Sequence, residues 1–199
     1  MEIDREKLFG DVANALTANY GASTAELAAA AGVSRATLHR VFGNRDALIE
    51  EIYGWLLERC DEKLDAAGID PAEPGTGSFD PVLEVFERLT DDSYPLAQSL
   101  WLLIATPELE QNPELLARLE VQDLRLERYF RRGQEEGVFR ADLPARWLAY
   151  SLGSQVMSAW YLVDDGYAGA KDVPRLVRAA ILDGVLAPGS AGQITNQDS

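Results

Sequence analysis

Apolar residues recur along this chain at helical spacing. Leu8, Phe9, Val12, Ala13, Leu16 and Tyr20 form an i, i+3, i+4 stripe that predicts an amphipathic helix over 4–20, stopped by Gly21. Leu48, Ile52, Leu56, Cys60 and Leu64 repeat every four residues and predict a long helix over 45–66. Residues 68–81, rich in Gly, Pro and small polar side chains, read as a loop. Asp80–Pro81 then reads as a cap and first-turn proline, with Val82, Val85, Phe86 and Leu89 facing inward. A further helix is expected from Ser93 or Tyr94 to Pro107. Asn112–Pro113 opens a long one to about Glu136, with Leu115, Leu116, Leu119, Leu126, Tyr129 and Phe130 on its apolar positions. Two more are expected over 143–164 and from Asp172 and Pro174 to Leu186. The chain carries no repeat, no strand-period run of useful length and no βαβ pattern, so the expected fold class is all-α.

Residues 23–48 are the most informative stretch. Ser23 followed by Glu26 is a capping box that opens a short helix carrying Leu27, Ala28 and Ala31. Gly32 supplies a left-handed residue to end it, and Ser34 caps the next helix. That second helix has Val33, Leu38 and Val41 as its inward positions, with Phe42 closing the unit. Two short capped helices around a glycine turn make a helix-turn-helix. The outward positions of the second helix are Arg35, Ala36, Thr37, His39 and Arg40. A helix of this size fits the DNA major groove, where Arg reads guanine and small or methyl-bearing side chains touch thymine methyls.

Charge sharpens this picture. The 199-residue chain carries −15, yet residues 23–45 hold Arg35, Arg40 and Arg45 against Glu26 alone, a local +2 that leaves −17 for the remainder. Positive charge is kept where a phosphate backbone would lie. Arg45 occupies the first turn of a helix capped by Asn44, where the macrodipole disfavours a cation, and a bound phosphate would explain it.

The segment AELAAAAGVSRATLHRVFGNRDALIEEI resembles the DNA-binding segment of the tetracycline-repressor (TetR) family of transcriptional regulators, whose pattern is roughly L-A-x-x-A-G-V-S-x-x-T-L-Y-x-x-F-x-x-K-x-x-L. His39 stands where the family usually has Tyr, and Arg45 where it has Lys; both keep a donor for phosphate. EEGVFRADLPARWLAYSL, residues 135–152, resembles the junction between the family's seventh and eighth helices. The resemblance implies about nine helices over residues ~4–187: a DNA-binding head at 1–46, a ligand-binding and dimerisation body at 47–187, and a polar tail at 188–199 expected to be disordered. It further implies a repressor that binds a palindromic double-stranded DNA operator as a homodimer and is released by a small hydrophobic or aromatic effector.

Composition narrows the alternatives. The hydrophobic fraction of 47% with 26% charge suits a globular core. One cysteine, Cys60, excludes an internal disulfide; its place on an apolar stripe makes it packing rather than a redox sensor. No signal peptide and no run of ~20 apolar residues appear, so a cytoplasmic protein without a membrane partner is expected. His39 is the only histidine, which excludes histidine triads and multi-histidine metal sites. Acidic pairs lie at helix ends and loops, no phosphate loop follows a strand, and no enzyme, cofactor or metal site is expected. The competing reading is a helical small-molecule-binding or catalytic protein with a purely structural helix-turn-helix; the outward cations of residues 34–45 argue against it.

The candidate DNA contacts are Arg35, Ala36, Thr37 and Arg40 toward base edges, with Thr24, Ser34, His39 and Arg45 toward phosphates. The candidate effector site draws on Phe86, Tyr94, Trp101, Tyr129, Phe130, Met157, Trp160 and Tyr161, with Gln98, Gln122 or Gln155 as polar handles, and the acidic body and ring faces would suit a cationic effector. Ordinary core packing is the alternative for those aromatics. The last two helices carry stripes with several small side chains, and the resemblance assigns Trp147, Ser151, Ser154, Leu176, Val177, Ala180, Ile181 and Gly184 to a dimer interface. The alternative is that both stripes fill the monomer core.

Overall fold

A computed structural model of the chain describes residues 4–71, 79–91, 93, 94, 97, 101–103 and 112–183. Every regular element among them is helical. Helix α1 (Arg5–Ala18) is capped by Asp4, and α2 (Thr24–Ala30) and α3 (Arg35–Phe42) follow across short turns. These three pack on the N-terminal part of α4 (Arg45–Ala67) through Leu8, Val12, Leu16, Leu27, Leu38, Leu48 and Ile52, all buried.

The body contains α5 (Val82–Thr90), the helical residues 101–103 (α6), α7 (Pro113–Glu135), α8 (Ala145–Asp164) and α9 (Val173–Arg178). Its core joins Val85, Phe86, Tyr129, Phe130, Val156 and Val177 to Leu64 and Ala67 of α4. Helix α4 therefore belongs to both cores. Leu102, Leu103 and Leu115 of the body also pack into the first cluster, so head and body are joined by buried apolar surface as well as by α4.

Polar anchors fix the C-terminal half of α4. Arg125 of α7 donates to Asp70 at 2.7 Å and to Asp61 at 3.2 Å, and also pairs with Asp65. Arg88 donates from Nε to the Ala67 carbonyl at 3.0 Å, placing positive charge at the negative end of the α4 dipole. The α7–α8 turn folds back so tightly that a Cβ on Gly133 would lie 2.3 Å from Cδ2 of Phe139. Only glycine lets that ring seat on α7.

Several expectations change. Asp80 does not cap α5: Pro81 holds the cap position with no side-chain hydrogen bond, and Asp80 pairs with Arg88 at 2.6 Å. Val41 is exposed rather than inward, because the short α3 turns only Leu38 and Phe42 fully onto α1 and α4. Leu116 is likewise exposed while Leu115 is buried. Helix α8 begins at Ala145, and α9 ends at Arg178 in a π turn over Ala179–Asp183. Most of the expected helix to Pro107, the centre of the 68–81 loop, and the 188–199 tail lie outside the described residues.

Candidate functional site

The helix-turn-helix is built from local hydrogen bonds. Ser23 and Glu26 form the reciprocal capping box, with Glu26 accepting from the Ser23 backbone at 2.7 Å. At the far end of α2, Gly32 has φ +66°, the Gly32 N–H meets the Ala29 carbonyl at 3.1 Å, and the Val33 N–H meets the Ala28 carbonyl at 2.9 Å. That pair of bonds is a Schellman motif, and it sets the angle at which α3 leaves α2. Ser34 caps α3 by accepting from the Thr37 N–H at 3.0 Å, and the two hydroxyls share a further bond at 2.8 Å. Arg35, Ala36, His39 and Arg40 are exposed, Thr24 and Thr37 half-buried, and Ser34 exposed. Among the described residues neither Arg35, His39 nor Arg40 enters an ion pair, although Arg88, Arg125, Arg140 and Arg146 all do. Helix α3 thus presents two exposed arginines outside any ion pair among the described residues, on a strongly acidic chain.

The structure gives the position of Arg45 a second explanation. Its Nη2 donates to the Tyr20 carbonyl at 2.6 Å and its Nε to the Ala22 carbonyl at 3.3 Å, with the guanidinium 5.5 Å from the Tyr20 ring centroid. The cation at the start of α4 is compensated by carbonyls of the α1–α2 turn, so its place needs no bound phosphate. No periodicity in the sequence could have paired Arg45 with residues 23 and 25 positions earlier.

Between α4, α5, α6, α7 and α8 the body holds a pocket of about 470 Å³, with Tyr150 and Ser154 of its lining exposed to solvent. Cys60 and Leu64 of α4, Leu89, Leu103, Leu119, Leu126, Leu152 and Val156 make its apolar wall, and Ala149 and Gly153 leave the space on the α8 side. Its polar lining is Gln122, Asp123, Tyr150 and Ser154. Gln122 is 4% exposed and donates from Nε2 to the Leu57 carbonyl at 2.8 Å. Burial pushes the Asp123 carboxyl above its ordinary range, despite the attraction of Arg146. Burial also pushes the Cys60 thiol up to about 12.

Of the expected effector residues that the structure describes, Gln122 alone is in the lining of this pocket. Phe86 and Tyr129 lie in the core beside it, where the Tyr129 hydroxyl donates to the Val82 carbonyl at 2.8 Å. Trp101, Trp160 and Tyr161 pack on one another instead, Trp101–Trp160 tilted with centroids 5.8 Å apart and Trp160–Tyr161 edge-on at 5.0 Å, with the Trp101 indole donating to the Tyr161 hydroxyl. Tyr94 and Trp160 border a separate cleft against Asn14, Thr17 and Ala18 of α1. Met157 lines neither space, and Gln98 lies outside the described residues. One signal was available: Asp123 is a charge at i+4 from Leu119 and i−3 from Leu126, on the apolar face of α7.

The expected dimer residues divide. Trp147 is 60% exposed, with Tyr150, Tyr161, Leu162 and Leu182 also exposed on α8 and the π turn. Ser151, Leu176, Ala180 and Ile181 are half-buried, Ile181 packing on the body core. Val177 is 1% exposed in the monomer core and is not free to meet a partner. Ser154 is exposed along the rim of the cavity, and Gly184 lies outside the described residues. No described helix is long and apolar enough to cross a membrane.

Comparison with known proteins agrees with this architecture. Residues 11–52 match the profile of the bacterial regulatory proteins, tetR family. The HTH-type transcriptional regulator NfxB of Pseudomonas aeruginosa is 32% identical over 146 residues, covering 70% of this chain and 72% of that protein. The HTH-type transcriptional repressor LfrR of Mycolicibacterium smegmatis is 28% identical over 174 residues, covering 87% and 82%. The crystal structure of LfrR in complex with proflavine superposes with a TM-score of 0.71 at 18% identity, over 92% of this chain and 96% of that one. The structure of AibR in complex with isovaleryl coenzyme A and operator DNA superposes at 0.68 and 15% identity, over 89% and 97%. The chain belongs to the TetR family of bacterial transcriptional regulators.

Proposed function

We propose that this regulator is a repressor that grips a palindromic operator as a homodimer and lets go when a small hydrophobic or aromatic molecule fills the body cavity. The observation that carries the DNA part is the recognition helix α3, whose Arg35, His39 and Arg40 are exposed and free of ion pairs among the described residues. Arg35, Ala36, Thr37 and Arg40 meet base edges in this reading, while Thr24, Ser34 and His39 meet phosphates. Arg45 supports the head from behind through the Tyr20 and Ala22 carbonyls.

The exposed aromatic face at Trp147, Tyr150 and Tyr161 supports a dimer, since a chain has little reason to leave several large apolar side chains together in water. A two-fold contact there sets the two α3 helices about one DNA turn, ~34–36 Å, or a multiple apart. The effector part rests on the cavity and on α4, whose Cys60 and Leu64 line the wall while its N-terminus holds the head. A ligand with higher affinity for one placement of α4 shifts the heads toward it, by no more than that difference in affinity.

The test is selection of binding duplexes from a random library, followed by fluorescence anisotropy. A palindromic consensus is expected. Arg40→Ala should lose about 1–3 kcal/mol on the consensus and relax specificity, whereas His39→Ala should weaken all sequences alike and leave the salt dependence unchanged, as loss of an uncharged phosphate contact does. Failure to enrich any duplex, or indifference to both substitutions, refutes the DNA interface. Sedimentation as a monomer at micromolar concentration refutes the dimer.

A further inference from the structure

The body pocket reaches solvent along α8. Tyr150 and Ser154, one turn apart, are the exposed residues of its lining, and a Cβ on Gly153 beside them would meet nothing within 4 Å. The Tyr150 hydroxyl reaches to α7, accepting from Arg146 Nε at 3.0 Å and donating to Asp123, so its ring lies along the rim. Both rim residues belong to the outward stripe of α8. Trp147, Tyr150, Ser154, Ser158 and Tyr161 follow one another at steps of three and four, and all five are exposed. That stripe is uncharged: from Trp147 to Val163 the helix holds no acid and no base, in a chain that carries −15. It is also ordered about Ser154. Trp147 and Tyr161, two large rings, stand seven residues to either side; Tyr150 and Ser158, one large and one small, stand four to either side.

We infer that a second copy of this chain lays its α8 antiparallel along this stripe, with the two-fold axis at Ser154, and closes the mouth of each pocket. The inference rests on the dimer and effector readings above. About that axis Trp147 meets Tyr161 of the partner subunit, and Tyr150 meets Ser158 of the partner subunit, so a ring faces either a ring or a gap. Ser154 meets its own copy, and its small side chain suits the point where the helices are closest. Neighbouring registers fit worse. An axis at Tyr150 puts two rings at the closest approach and turns Ser154 toward Arg146 of the partner subunit. An axis at Ser158 carries Trp147 past Asp164, where the partner's helix ends. Charge selects the occupant: two copies at −15 repel across an acidic face, and this stripe lets them touch without opposing like charges. The axis passes the rim residue Ser154, so both mouths open on one seam. The pocket is then incomplete in the monomer, and occupancy and dimerisation reinforce each other.

Cysteine placement tests the axis. Ser154→Cys, in a chain whose native Cys60 is buried, should form a covalent dimer under mild oxidation, because a residue on the axis brings two Cβ atoms within the ~4 Å that a disulfide spans. Ser158→Cys, equally exposed one turn away, should not, since its two copies lie about 12 Å apart along the seam. The uncharged dye Nile red then reports the pocket, counting only the binding that Leu126→Trp abolishes by filling it. Trp147→Glu, at a position 60% exposed and so outside the monomer core, should sediment as a monomer and bind the dye at least about ten-fold more weakly. The Ser154→Cys covalent dimer should keep the wild-type dye affinity at every dilution. A wild-type dimer in which Ser154→Cys fails to cross-link, cross-linking of Ser158→Cys as readily, or a dimeric Trp147→Glu overturns the inference while the dimer reading stands. A monomeric Trp147→Glu that binds the dye as tightly as wild type overturns the shared pocket. Cross-linking through Ser154→Cys with no dye binding sensitive to Leu126→Trp refutes the effector reading, and the shared pocket with it, while the seam stands.

Discussion

Replacing Gly133 by alanine sets two effects of opposite sign against each other. Glycine in a helix interior is about 1 kcal/mol less favourable than alanine, so propensity alone makes Gly133→Ala stabilising. Packing says the reverse. The new Cβ would lie 2.3 Å from Cδ2 and 2.6 Å from Cε2 of Phe139, and 3.1 Å from Cγ1 of Val82. Ordinary contact begins near 3.4 Å, so the Phe139 ring must retreat by about 1.1 Å. It cannot do so freely. The Phe139 N–H is bonded to the Gly133 carbonyl at 3.0 Å, and its ring packs against Phe86, Tyr129 and Phe130 at centroid distances of 6.1, 5.9 and 5.2 Å. Overpacking of this kind costs roughly 1–3 kcal/mol, and a gap of more than 1 Å at three ring contacts puts it at the upper end. The net expectation is a loss of about 1–2 kcal/mol, or roughly 2–8 °C in Tm for a chain of this length. Urea unfolding followed by circular dichroism, at one fixed protein concentration, measures it. The decisive step is to repeat the substitution in a Phe139→Ala background, where the main obstruction is gone. There Gly133→Ala should become neutral or stabilising by up to ~1 kcal/mol. A Gly133→Ala variant as stable as wild type in the native background, or the same loss in both backgrounds, refutes the reasoning.

Asp123→Asn should stabilise the ligand-free protein at neutral pH. The folded-state pKa is raised above the ordinary 3.8, chiefly by burial, so the stability belonging to the protonated form is fully present below 3.8 and lost as pH rises through the folded value. The advantage of Asn should therefore shrink toward zero below pH 3.8; urea midpoints across pH test this, and a variant less stable at pH 7 contradicts it. Cys60, with its thiol pushed up to about 12 by burial, should hold about one part in 10⁴ thiolate at pH 8 and label with iodoacetamide only on unfolding. Rapid labelling of the folded protein would show that the thiol is not enclosed as described. Arg45→Met should lower head stability by ~1–3 kcal/mol through the lost carbonyl bonds while leaving the salt slope of DNA binding unchanged; a slope flatter by about one unit would restore a phosphate role.

The sequence determined the head almost completely, because its structure is made by bonds between near neighbours. The Ser23–Glu26 box, the Gly32 turn and the Ser34 cap each link residues three to five apart, and such links are written in residue type and spacing. Helical periodicity likewise marked α4, α7 and α8 to within a residue or two. In the body it marked which side chains are apolar but not which partner each meets. Trp147 and Val177 belong to equally apolar stripes; packing of α8 on α7 and of α9 on α5 exposes the first and buries the second. Aromatic bulk at Trp101, Trp160 and Tyr161 pointed to a binding site, whereas the three rings satisfy one another and the cavity opens where Ala149 and Gly153 face leucines. Arg45 and Gly133 make the same point from two sides. Local rules read the first as a cation in need of an anion and the second as a weak spot in a helix. Their partners, the Tyr20 carbonyl and the Phe139 ring, are delivered by the chain folding back in space. Spacing alone encodes contacts within a turn or two; the rest is decided by which surfaces are left to pack once those turns have formed.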